Sequence, residues 1–149
     1  MKIIEYYQSP NKELWKGQIK QSDWAAGKLL FSLLDNNQLQ NLCGDSTKLY
    51  LLTDGDKLVS FATLAQQDEI DAPQLSPWIG FVYTFPFYRD NHYAGKLIEH
   101  ICQVSREASQ QNIYVSTNEV GLYEKYGFRF LQNMLNREGK TTRVYIKDL

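Results

Sequence analysis

The feature that most constrains this chain is an apolar strand that runs into a long helix and out again into a second strand. Trp78–Phe85 is almost continuously apolar, Pro86 stops it, and a polar turn follows. Ala94, Leu97, Ile98, Ile101 and Ala108 then share one face of a helix predicted from about Tyr93 to Gln110. Ile113–Thr117 reads as a short strand. A strand, a crossover helix and a strand in one sheet lie parallel. An unbroken apolar strand belongs inside a sheet, covered on both faces.

The remaining segments supply antiparallel partners. Lys48–Thr53 and Lys57–Leu64 are apolar and β-favouring, and Asp54-Gly55-Asp56 between them offers the positive-φ residue of a tight hairpin. Phe128–Leu131 and Thr141–Ile146 predict a closing hairpin, and Lys2–Tyr6 a first short strand. Asn11–Lys20 is weakly helical. A better helix starts at Ser22 as cap, carries Trp24, Leu29, Leu30, Leu33 and Leu34, and ends at Asp35-Asn36-Asn37, with Gly27 interrupting its middle. Gly121–Tyr126 predicts a short helix stopped by Gly127. Gln66–Pro77 is a polar loop holding Asp68, Glu69 and Asp71. The expected class is α+β: a mixed, mostly antiparallel central sheet flanked by helices.

With 149 residues the chain suits one domain spanning 1–149. A net charge of −1 argues against nucleic acid or an anionic membrane as partner. Cys43 and Cys102 form no metal spacing and no CxxC pair, and the start shows no long apolar stretch or cleavage site. A reduced, cytoplasmic protein without a metal is the expectation; His92 and His100 are too far apart in sequence for a compact metal site.

The chemistry concentrates in Pro86-Phe87-Tyr88-Arg89-Asp90-Asn91-His92-Tyr93-Ala94-Gly95-Lys96. The free N–H groups and dipole of a helix N-terminus attract an anion. Ala94 and Gly95 let a phosphate approach the backbone, and Arg89 and Lys96 add cationic donors. The same residues also fit an ordinary strand-to-helix turn with basic side chains in water.

This segment resembles the acetyl-CoA pyrophosphate loop of the GNAT N-acetyltransferases, Arg/Gln-x-x-Gly-x-Gly/Ala: Arg89 fills the first slot, His92 stands where the first glycine is usual, and Ala94 fills the last. A positive φ at residue 92 weakens the contact with CoA, whereas a helical φ tolerates histidine, which then adds a donor or faces water. A second match follows at the expected distance. Asn118-Glu119-Val120-Gly121-Leu122-Tyr123-Glu124-Lys125-Tyr126-Gly127-Phe128 resembles the family's late Asn…(Leu/Phe)-Tyr-Glu-Lys-x-Gly-Phe segment.

The resemblance implies that Trp78–Phe85 and Ile113–Thr117 splay apart around acetyl-CoA. The backbone of Val82, Tyr83 and Thr84 then pairs with pantetheine, and the turn Arg89, Asp90, Asn91, His92, Tyr93, Ala94, Gly95 and Lys96 takes the pyrophosphate. Asn118 holds a nearby amide. Tyr123 is the implied general acid, with Tyr126 second. The activity implied is acetyl transfer to a primary amine of a small molecule or peptide; the alternative is a non-catalytic acyl-CoA-binding or sensor domain on the same fold. No acid stands on Trp78–Phe85, so a base is sought in water relayed to Glu69, Asp71 or backbone carbonyls, or the amine arrives neutral. Trp15, Trp24 and Phe31 are candidate acceptor walls, equally suited to core packing. A homodimer through a sheet edge is compatible with the family pattern.

Overall fold

A computed structural model describes residues 1–149. Seven strands form one sheet in the order β1-β2-β3-β4-β5-β7-β6. They are β1 (Lys2–Glu5), β2 (Lys48–Asp54), β3 (Lys57–Ala65), β4 (Trp78–Thr84), β5 (Asn112–Thr117), β6 (Arg129–Leu135) and β7 (Thr141–Asp148). Only β4 and β5 pair in parallel; every other neighbour is antiparallel. The β2–β3 hairpin turns where Gly55 adopts φ 62°, the conformation its Asp-Gly sequence predicts.

Helices α1 (Lys12–Lys20), α2 (Ala25–Asp35) and α3 (Leu39–Cys43) cover one face, where Trp15, Ile19, Leu30, Leu34 and Leu39 pack on Leu49, Leu51, Phe61 and Tyr83. Helix α4 (Tyr93–Glu107) crosses the other face and buries Leu97, Ile98, Ile101 and Cys102 against Val59, Ala62, Ile79, Ile113 and Val115. Each face thus takes one apolar stripe per helix and the matching alternate residues of the strands.

Several expectations change. Ser22 does not cap α2: the helix starts at Ala25, and the Ser22 hydroxyl is buried without a partner. Gly27 has a packing reason, because a Cβ there would press on the Ser22 side chain, whose own Cβ lies 3.1 Å from that position. Helix α4 ends before Ala108, which caps it and is exposed, since Ser109 turns left-handed at φ 65°. Helix α3 escaped the sequence pattern because five residues cannot show a periodicity. Strand β6 extends to Leu135, four residues past its expected end, along β7. Trp78–Phe85 is buried on both faces only at its beginning; Gly80, Phe81 and Val82 are half-exposed. That opening makes the site.

Candidate active site

Strands β4 and β5 pair only at Trp78↔Tyr114 and Ile79↔Val115 and then part. On its other edge β4 bulges against β3: Phe61 faces Tyr83 and Thr63 faces Gly80, so Phe81 and Val82 together oppose Ala62. Phe81 takes φ 48° to do so. A bulge bends its strand and sharpens the twist, which swings the end of β4 away from β5. The gap opens into a cleft of about 820 Å³ whose walls include Val82, Tyr83, Thr84, Arg89, Asp90, His92, Tyr93, Ala94 and Gly95.

The far end of the cleft is the N-terminus of α4. The first α4 amide paired inside the helix is that of Lys96, bonded to the His92 carbonyl at 3.3 Å, so the amides of Tyr93, Ala94 and Gly95 stay available. The turn before it is tight: Asp90 and His92 both lie in the left-handed region, at φ 66° and 59°. His92 is the N-cap and its exposed side chain makes no cap bond. Of the alternatives open for this residue, the backbone takes the positive-φ one. Asn91 braces the turn, donating to the carbonyls of Tyr88 and Arg89 at 3.1 and 2.9 Å. Lys96 is exposed with its ammonium 5.4 Å from the Tyr93 ring centre.

Arg89 points back toward the strand. Its Nε donates to the Thr84 carbonyl at 2.9 Å and its guanidinium lies 3.7 Å from the Asp23 carboxylate and 5.4 Å from the Tyr83 ring centre. The Tyr83 phenol donates to Asp23, which holds that carboxyl below its ordinary range, with the Arg89 charge acting in the same sense. Burial and the Asp23 charge raise the Tyr83 phenol. Trp24 stacks on Tyr83 at 5.5 Å, so the loop before α2 is tied to the mouth of the cleft. Trp24 is therefore a wall residue, whereas Trp15 is in the core with its indole N–H on Ser9 Oγ. Phe31 is half-buried against that same core.

Tyr123 is 4% exposed and packs in the α4-side core against Phe128, with ring centres 5.6 Å apart. Burial raises its phenol strongly, and the carboxylates of Glu119 and Asp68 push in the same direction. It is Tyr126 that reaches the cleft wall, its hydroxyl lying over Gly95 where a side chain would otherwise be. The role of Gly95 in the fold is thus to seat Tyr126. Asn118 is exposed beyond β5; Thr117 Oγ1 and the Glu124 carboxylate instead accept the amides of Glu119 and Gly121.

One residue escaped the sequence reading. The carboxylate of Asp68, in the β3–β4 loop, lies 2.7 Å from the point where a Gly80 Cβ would stand, next to the Thr63 hydroxyl. The readable sign was a glycine inside the most apolar strand of the chain, which marks a close approach. No group of three or more His, Cys, Asp or Glu side chains is placed to hold a metal ion.

The family model of the acetyltransferase (GNAT) family matches residues 11–128. The fold is similar to that of aminoglycoside 6'-acetyltransferase type Ii, at 17% identity over 99% of this chain and 97% of that one, with a TM-score of 0.73. It is also similar to the aminoglycoside 6'-N-acetyltransferase from Enterococcus faecium (14% identity, 99% and 97% covered, TM-score 0.71). A third likeness is to a GNAT family acetyltransferase from Elizabethkingia anophelis with acetyl-CoA bound (13%, 99% and 97%, TM-score 0.66). No curated protein sequence matches significantly. The family match makes the protein an acyltransferase that uses acetyl-CoA. The chain belongs to the acetyltransferase (GNAT) family.

Proposed function

We propose that this protein transfers the acetyl group of acetyl-CoA to a primary amine of a small molecule or peptide, in the cytoplasm, with a tyrosine as general acid. The observation that carries the reading is the free edge of β4 beyond Ile79, leading along one cleft to the unpaired amides of α4.

When bound, acetyl-CoA supplies a thioester, whose C–S bond breaks as the acceptor nitrogen bonds to the carbonyl carbon. The backbone of Val82, Tyr83 and Thr84 would pair with the pantetheine amides, as a strand edge pairs with any extended amide chain. The amides of Tyr93, Ala94 and Gly95 would receive the pyrophosphate, within the turn made by Asp90, Asn91 and His92. Arg89 and Lys96 would add cationic donors, and Asn118 would hold a nearby amide.

Tyr123 would hand its phenolic proton to the departing sulfur. Burial keeps this phenol protonated but makes it a weaker acid than a free tyrosine, so the support for the role is its place in the segment Leu122-Tyr123-Glu124-Lys125. Tyr126 belongs to the phosphate end, because its hydroxyl is seated in the first turn of α4.

Calorimetry with acetyl-CoA, followed by thiol release with a panel of amines including aminoglycosides, polyamines and peptides, tests the reading. Absence of acetyl-CoA binding overturns it. Binding without thiol release for any amine would favour the alternative, a non-catalytic acyl-CoA-binding or sensor domain.

A further inference from the structure

A carboxylate facing the point where β4 and β5 part has no role in the reading above. Thr63 and Gly80 are cross-strand partners, and their side-chain positions share the sheet face covered by α1 and α2. Asp68 closes over that spot from the β3–β4 loop, with its Oδ1 occupying the room a Gly80 side chain would need. Gly80 follows Ile79, the last β4 residue paired with β5, and precedes the Phe81 bulge. The carboxylate therefore stands beside the point where β4 leaves β5, two residues before Val82, where β4 begins to line the cleft. Tyr123 packs with the opposite, α4-side core, close enough for the two charges to feel one another.

The loop holds Asp68 in place from both sides. The amides of Gln66 and Gln67 both donate to the Cys43 carbonyl at 3.1 Å, and the Arg137 amide donates to the Glu69 carbonyl at 2.9 Å. Ile70 forms a bridge with Asn136. None of the chain's ion pairs involves Asp68. Burial lifts its carboxyl to about 6; the Glu69 charge adds to the lift and the Glu69 backbone N–H opposes it. The other titratable groups facing it are Cys43, at the end of α3, and Tyr123; Arg137 acts on Cys43.

The other acids near the cleft are otherwise engaged or exposed. Glu69 accepts from Ser116 Oγ at 2.8 Å. Asp23 is held by Tyr83 and Arg89 at the mouth. Asp71 and Glu119 are exposed. β4 itself carries no acid.

We propose that Asp68 is the general base of the reaction, taking a proton from the acceptor's ammonium on the face of the sheet opposite Tyr123. The inference rests on the acetyltransferase reading and deepens it. An acceptor R–NH3+ gives one proton to Asp68 and becomes the neutral nucleophile. After the N–C bond forms and the C–S bond breaks, the proton released from nitrogen balances the one that Tyr123 gives to sulfur. The unneutralised carboxylate also selects a cationic acceptor over a neutral one.

The experiment compares wild type, Asp68→Asn and Asp68→Glu in kcat/KM between pH 5 and 9. One acceptor is an alkylammonium from the active panel; the other is an alkoxyamine or acyl hydrazide, already neutral across most of that range. For the alkylammonium, Asp68→Asn is expected to lose about 100-fold, with the wild-type limb near pH 6 abolished, acetyl-CoA affinity kept within about twofold and partial rescue by Asp68→Glu. The neutral acceptor should lose far less. Equal losses with both acceptors, or an unchanged limb, overturn the assignment while wild-type activity leaves the acetyltransferase reading intact. A wild type that acetylates nothing overturns both. Should Asp68→Asn fail to fold, a carbon-13 titration of the Asp68 carboxyl in wild type decides: a midpoint matching the rate limb supports the base, and a midpoint near 4 removes it.

Discussion

The hydroxyl of Tyr126 lies in the space that a side chain at Gly95 would occupy. A Cβ at residue 95 would stand 2.6 Å from Tyr126 Cε1, and closer still to the phenolic oxygen. The contact locks the 3-10 turn Tyr123–Tyr126 against the first turn of α4, so two segments distant in sequence form one wall of the cleft. Gly95→Ala should gain up to about 1 kcal/mol of helix propensity and lose more to overpacking, about 1–3 kcal/mol. The expected net result is a loss of about 1 kcal/mol in urea denaturation together with weaker acetyl-CoA binding. Adding Tyr126→Leu should recover the stability; strictly additive effects would show that the two residues are not coupled.

His92 sits where a glycine would be at ease. At φ 59° a side chain costs roughly 1–2 kcal/mol, partly offset by the greater chain entropy a glycine loses on folding. His92→Gly should therefore raise stability by up to about 1 kcal/mol and tighten acetyl-CoA several-fold, as thermal shift and calorimetry would read. A destabilised variant would mean that the imidazole itself holds the turn.

The parts of this fold that were legible in the sequence are those set by local patterns. The hairpin at Gly55, the α4 stripe Leu97, Ile98 and Ile101, and the parallel β4–β5 pair all follow from periodicity and turn chemistry. The resemblance at Arg89–Gly95 and Asn118–Phe128 singled out two segments whose residues share the walls of one cleft. What stayed hidden depends on residues meeting across long separations. Ser22 looks like a cap from its neighbours, yet its hydroxyl is buried beside Gly27. Arg89 looks free for a phosphate, yet it pairs with Asp23, 66 positions earlier. Asp68 looks like one surface acid among three until Gly80 is seen beneath it.

The Asp23–Arg89 pair makes a competition testable. A phosphate arriving at α4 must share Arg89 with Asp23 and the Thr84 carbonyl. Asp23→Asn keeps an acceptor for the Tyr83 phenol and removes the competing charge. Acetyl-CoA should bind about two- to fivefold tighter, and the gain should shrink as salt rises. Weaker binding would instead assign Asp23 to positioning Arg89 for the cofactor.

Tyr123→Phe keeps the ring that packs on Phe128 and removes only the hydroxyl. Stability should change by less than about 1 kcal/mol and acetyl-CoA affinity should hold, while kcat falls about 100-fold. The loss should be smaller with an acyl donor whose thiol is more acidic, because its sulfur leaves without a proton. An unchanged kcat would return Tyr123 to a purely structural place in the core.

Asp68 also makes a prediction about stability that does not depend on any acceptor. Its carboxyl is raised to about 6 in the folded protein, against about 4 in an unfolded chain. Between those values the folded state holds more protons than the unfolded one. Stability is therefore lost as pH climbs through this window, and it stays lost above pH 6. The burial of the charged form costs on the order of 3 kcal/mol at neutral pH. Asp68→Asn removes that cost, so the variant should unfold at higher urea than wild type at pH 8. The gap should narrow from pH 6 downward and close below about pH 4, where Asp68 is protonated in both states. A gap of the same size at every pH would mean that packing over Gly80, rather than the buried charge, separates the two proteins. A variant that is less stable at pH 8 yet fully active would remove Asp68 from both arguments at once.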